Sequence, residues 1–142
     1  MGSVIKIKTG KELPENVEIS ILLDYLQTSK RESNKLFTNV KEISNMSDNA
    51  ISQILDISPK TFRNYKSVKQ ILSLRLTEHA IAFYAVFYHG KKVFGTEQEF
   101  TRWLNQENFY FDGKAPIKYL SVISGIKFID DRLSAMEFGD NV

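Results

Sequence analysis

Leu76-Thr77-Glu78-His79-Ala80-Ile81-Ala82-Phe83-Tyr84-Ala85-Val86-Phe87-Tyr88-His89-Gly90-Lys91 is the stretch that decides the fold. Ala80, Phe83, Tyr84, Phe87 and Tyr88 recur three or four residues apart, so they share one helical stripe. Ile81, Ala85 and Val86 fill much of the remaining circumference. A helix that is apolar nearly all round is buried on most sides. The stretch therefore predicts a central strut from Leu76 or Thr77 to Lys91, with other helices packed around it. Its aromatics read as core packing rather than a cofactor box. His79 and His89 have no acidic or cysteine partner at ligand spacing. They are expected at the surface or at helix ends, not as metal ligands or bases.

Working outward toward the N-terminus, the next legible unit is a pair of short helices. Ser47 or Asp48 can cap a helix carrying Ile51, Ile54 and Leu55. Asp56-Ile57-Ser58 forms a turn. Ser58 is a good N-cap, and Pro59 suits the first helical position, where its missing N–H costs nothing. Two short helices joined by a tight turn with an apolar residue inside it make the helix-turn-helix pattern. Phe62 and Tyr65 face inward in this reading. Lys60, Thr61, Arg63, Asn64, Lys66 and Lys69 are the candidate DNA-binding residues. Asn can pair with adenine, Lys with guanine or phosphate, and Thr with a base. Arg63, Lys66 and Lys69 can neutralise phosphates. Plain structural packing of two short helices fits the same pattern, so both readings stay open on pattern alone. Farther upstream, Leu36, Phe37, Val40 and Ile43 fit one helical face, and Val17 to Gln27 reads as another helix. Residues 1–16 read as a flexible arm that Pro14 keeps out of any helix.

Toward the C-terminus the strut ends near His89-Gly90-Lys91-Lys92. Thr96, with Glu99 three residues on, signals a capping box for a helix bearing Phe100, Trp103 and Leu104. Trp103 reads as a core anchor. Phe109-Tyr110-Phe111 sits in a loop, where three adjacent aromatics cannot all be buried cheaply, so one or two are expected to meet a partner. Ala115-Pro116 opens a helix through Leu120, Gly125 breaks it, and Ile126, Ile129, Leu133 and Met136 form a last helical face. The expected division is 1–16 arm, 17–93 helical region with the helix-turn-helix, and 94–142 partner-docking module.

Composition excludes several classes. The chain has 142 residues, no cysteine and a formal net charge of +2, which removes disulfides and thiolate chemistry. No apolar run approaches a membrane span of roughly 20 residues. No signal peptide is recognisable, and a cytoplasmic protein is expected. Residues 1–75 hold 12 Lys and Arg against 8 Asp and Glu, whereas residues 76–142 hold 7 against 9. A basic half suits an anion and an acidic half a different partner. There is no Walker loop, GxGxxG, HExxH or nucleophile elbow. Asp130 and Asp131 are adjacent on a helix and point apart, a poor acid/base couple. No enzymatic activity, metal or cofactor is expected.

An ordered set of residues carries a family resemblance. Ile51-Ser52-Gln53-Ile54-Leu55-Asp56-Ile57-Ser58 and Thr61-Phe62-Arg63 are followed by Val93-Phe94-Gly95, Trp103-Leu104, Asn108, Phe111, Gly113, Pro116, Leu120, Gly125, Leu133 and Met136-Glu137-Phe138-Gly139. This set, over residues 47–142, resembles the Xre/MbcA/ParS-type antitoxins. Asp56 stands where that family usually has a turn glycine, and Glu107 where it usually has a proline. The resemblance implies an all-α antitoxin whose Xre-like helix-turn-helix binds operator DNA and represses its own operon; a homodimer is expected because helix-turn-helix proteins read paired half-sites. It implies a C-terminal module docked on a cognate toxin of the RES-domain type, which consumes NAD. It casts Arg132, Glu137, Phe138, Gly139, Asp140, Asn141 and Val142 as the group obstructing that toxin's active site. The alternatives are a stand-alone helix-turn-helix regulator without a toxin, and an interaction module whose helix-turn-helix is vestigial.

Overall fold

A computed structural model describes Asp24 and residues 32–139 of the chain. The expected arm over 1–16, and the helix expected from Val17 to Gln27 apart from Asp24, lie outside the described residues. The described residues form six α-helices and two 3-10 turns, with no strand beyond one isolated bridge between Glu32 and Ile71. The fold is all-α, as the periodicity predicts.

The first three helices are α1 (Ser33–Ser44), α2 (Asp48–Leu55) and α3 (Pro59–Ser67). Leu36, Phe37 and Val40 bury the inner face of α1. Ser47 caps α2, accepting the Ala50 N–H at 3.1 Å. Ser58 caps α3 by accepting the Thr61 N–H at 3.0 Å, with Pro59 in the first turn. Between them Asp56 is left-handed at φ 58° and ends α2. A glycine takes that conformation freely, whereas an L side chain is strained there. Phe62 is fully buried and stacks on Phe37 at 5.2 Å, and Tyr65 meets the edge of Phe37 at 5.8 Å. These two rings thus bind α3 to α1.

The strut, α4 (Leu74–Phe94), is longer than the sequence predicts. Ser73 caps it, accepting the Leu76 N–H at 3.1 Å. Ala80 to Phe87 are all buried. The helix does not stop at Gly90 but runs on to Gly95, where φ is +92°. Gly90 serves a different purpose: a Cβ there would lie 2.5 Å from three carbons of the Phe100 ring. The missing side chain lets α5 (Glu97–Leu104) sit directly on the strut. Half of the expected capping box forms. Thr96 accepts the Glu99 N–H at 3.2 Å, but the Glu99 carboxylate accepts from Arg102 Nη1 at 3.2 Å instead of turning back.

After α5 come 3-10 turns at Phe109–Phe111 and Pro116–Ser121, then α6 (Ile123–Glu137). The chain breaks at Val122, which is extended at φ −135°, and not at Gly125. Gly125 lies inside α6, because a Cβ there would stand 2.1 Å from the Tyr119 carbonyl oxygen. The residue permits a close helix-to-turn approach. Ile126, Ile129 and Leu133 are buried as expected, against α4. One continuous hydrophobic core runs from Leu36 through the strut to Leu133, so residues on both sides of position 94 share it. Among the described residues no helix is long and apolar enough to cross a membrane.

Candidate functional site

The α2–turn–α3 unit is held by one half-buried electrostatic knot. Asp48 Oδ1 meets Lys41 Nζ of α1 at 3.1 Å and Lys66 Nζ of α3 at 3.4 Å. Burial acts to raise the Asp48 pKa, but the Lys41 hydrogen bond and the Lys66 charge outweigh it and hold the carboxyl below its usual range. One carboxylate therefore fixes three helices.

That knot sorts the candidate DNA-binding residues. Lys60, Arg63 and Asn64 are exposed and spaced to share one stripe of α3. Lys69 is exposed just beyond the helix end. Lys66 is different: it is committed to Asp48 and lies 5.5 Å over the Phe62 ring. The Thr61 hydroxyl is half-buried and accepts from Ser58 Oγ at 2.8 Å. The structure thus brings Lys60, Arg63 and Asn64 together and turns Lys66 and Thr61 toward local structural partners.

The C-terminal end carries a second constellation, which the sequence reading missed. His89 is not a surface residue: its side chain is only 15% exposed. Asp130 and Glu137 stand two turns apart on α6, on the face that meets the strut. His89 Nδ1–H donates to Asp130 Oδ1 at 2.6 Å, and Nε2–H donates to Glu137 Oε1 at 2.6 Å. Ionised carboxylates only accept, so the ring that satisfies both is the doubly protonated imidazolium. Burial favours the neutral ring, but the hydrogen bonds to Asp130 and Glu137 outweigh it and raise the His89 pKa above its ordinary value. In this state the ring has no lone pair for a proton or a metal. The carboxylates lie on opposite edges of the ring, and among the described residues no group of His, Asp and Glu converges on a metal site. Asp130 is thus a partner of His89 rather than half of an aspartate pair. The pairing spans 41 residues, so only the packing of α6 on α4 reveals it. His79, by contrast, is half-buried and places Nε2 2.9 Å from the Leu120 carbonyl oxygen.

The remaining C-terminal candidates surround this clasp. Arg132 is half-buried, with its guanidinium 3.8 Å over the Tyr110 ring. Glu137 closes α6 while held by His89. Phe138 follows at 88% exposed, and Gly139 turns the chain at φ +96°. Asp140, Asn141 and Val142 lie outside the described residues. The clasp therefore fixes the last turn of α6 and leaves an uncovered phenylalanine immediately beyond it.

Comparison with known proteins bears on this end of the molecule. Residues 89–139 match the family model described as the antitoxin Xre/MbcA/ParS C-terminal toxin-binding domain. No curated protein matches the chain. The matched segment starts at His89 and takes in the clasp, α5, both 3-10 turns and α6.

Proposed function

We propose that this chain, whose residues 89–139 match the toxin-binding domain of the Xre/MbcA/ParS antitoxins, neutralises a cognate toxin of the RES-domain, NAD-consuming kind by plugging that toxin's active site. The family match over residues 89–139 carries this reading. Arg132, Glu137, Phe138, Gly139 and the terminal Asp140, Asn141 and Val142 form the plug. An exposed Phe138 at the end of a clasped helix supports it, since a rigid base lowers the ordering cost of inserting a short segment. The acidic end of the chain suits a pocket that is electropositive in order to hold a pyrophosphate. The protein itself performs no chemistry.

The helix-turn-helix has a second role in this proposal. As a homodimer the protein binds operator DNA and represses its own operon, with Lys60, Arg63 and Asn64 meeting the groove and Lys69 a phosphate. Their shared exposure on α3 supports that assignment. Both activities belong in the cytoplasm.

Co-expression with the product of the adjacent reading frame tests the reading. That product alone should arrest growth, and the pair should grow and co-purify. Absence of both a complex and relief from arrest would end it. If the purified chain then bound its own promoter DNA with no toxic neighbour encoded, a stand-alone regulator would replace it.

A further inference from the structure

We propose that the rigid loop Asn108–Lys114 presents Phe109 as the anchor by which this chain grips its toxin, separately from the terminal plug. The inference rests on the toxin-docking reading above and names the surface that does the docking.

The loop is closed on itself. Asn108 N–H donates to the Lys114 carbonyl at 3.1 Å, and the Asn108 carbonyl accepts from Phe111 and Gly113, each at 3.0 Å. Asn108 Oδ1 accepts the Tyr110 N–H at 2.9 Å. Asp112 and Gly113 take left-handed conformations, at φ 57° and 74°, to complete the turn. Phe111 is drawn wholly into the core against Trp103 and Tyr119. With Phe111 inside and the backbone fixed, Phe109 is driven outward and is 90% exposed. A loop built this tightly around one buried ring leaves its neighbouring ring in water by construction.

Phe109 is not isolated. Its ring meets Tyr110 edge-on at 5.7 Å, and Arg132 braces Tyr110 from α6. One turn before Arg132, Phe128 is 44% exposed and packs on Phe111 and Tyr119. Beside Phe109 lies a groove of about 480 Å³ lined by Phe94, Trp103, Phe109 and Tyr110 together with polar residues that include Arg102 and Glu107. Contiguous exposed aromatic surface of this kind marks interaction sites, and Phe and Tyr on a rigid backbone lose little entropy on binding.

The occupant is a segment of the toxin with an apolar pocket for Phe109 and, for the groove beside it, a side chain that pairs with both its aromatic and its charged lining. The whole patch falls inside the matched toxin-binding domain and is continuous, through Arg132, with the plug. A ring so exposed contributes nothing to the free chain's core, so its substitution reads binding alone.

In the test, the full chain is co-expressed with the product of the adjacent reading frame, the complex is purified, and its Kd is measured. Phe109→Ser should weaken the complex by about 10- to 100-fold, as for a central aromatic hot spot. Phe109→Leu should recover most of the loss, and the thermal midpoint of both free variants should match wild type. A wild-type Kd for Phe109→Ser would overturn the anchor while leaving toxin docking intact. Loss of self-association with toxin affinity unchanged would assign the patch to a second copy and also overturn it. A wild-type chain that fails to bind the toxin at all would remove the docking reading, and the anchor with it.

Discussion

Replacing His89 with Phe removes both donors of the clasp while keeping a planar ring in the same space. In the folded chain two charge-assisted hydrogen bonds are lost, each 2.6 Å long. Bonds to charged groups contribute roughly 1.5–3 kcal/mol each when buried. Asp130 and Glu137 are 47% and 32% exposed, so solvent screening lowers each to about 0.5–1 kcal/mol. The freed carboxylates can turn to water, and the expected destabilisation is about 1–2 kcal/mol. For a chain of this size that lowers Tm by about 3–8 °C. The pH dependence is more diagnostic than the size. The folded pKa of His89 is raised, so the clasp contributes fully below the ordinary histidine value of about 6.5 and is lost as pH rises through the raised value. Chemical denaturation of wild type and His89→Phe from about pH 5.5 to about pH 10 spans both limits. The gap between the two proteins should be widest at the acid end and shrink toward the alkaline end. A gap constant across that range would refute the imidazolium clasp.

Four other outcomes follow from the same structure. Gly125→Ala sets a Cβ against backbone, the Tyr119 carbonyl at 2.1 Å. It should cost about 2–3 kcal/mol by overpacking, even after the helix-propensity gain, measured by urea denaturation. Asp48→Asn should loosen α1, α2 and α3 together by about 1 kcal/mol. Its wild-type contribution is present above the ordinary carboxyl pKa of about 3.9 and lost as pH falls through the depressed folded value, which acid titration followed by circular dichroism will show. If operator DNA is bound as proposed, Lys60→Ala and Arg63→Ala should each weaken binding to the operator by about 1–3 kcal/mol and relax its specificity, whereas Lys69→Ala should reduce the salt slope of binding by about one. Lys66→Ala should act mainly on stability, because its ammonium is committed to Asp48.

How much was legible in the sequence depends on how local each feature is. The caps at Ser47, Ser58, Ser73 and Thr96 act within three residues, and the three that a cap signal marked were readable. The strut's apolar girth announced its burial. Gly90 and Gly125 were misread as helix breakers because a glycine marks a chain ending and a close approach alike. Only the position of Phe100 and of the Tyr119 carbonyl decides between them. His89 looked partnerless because its acids come from another helix. The outward turn of Phe109 was half visible: adjacent aromatics in a loop implied that one would stay in water, but which one depended on Phe111 reaching the core.

The most direct measurement of the central claim is growth and complex recovery with a chain that ends at Glu137, lacking Phe138–Val142. The clasp and the aromatic loop remain in that chain, so it should still co-purify with the toxin. Growth arrest should nevertheless return, because the toxin's site is open. A shortened chain that binds the toxin and protects as well as the full one would contradict the plug.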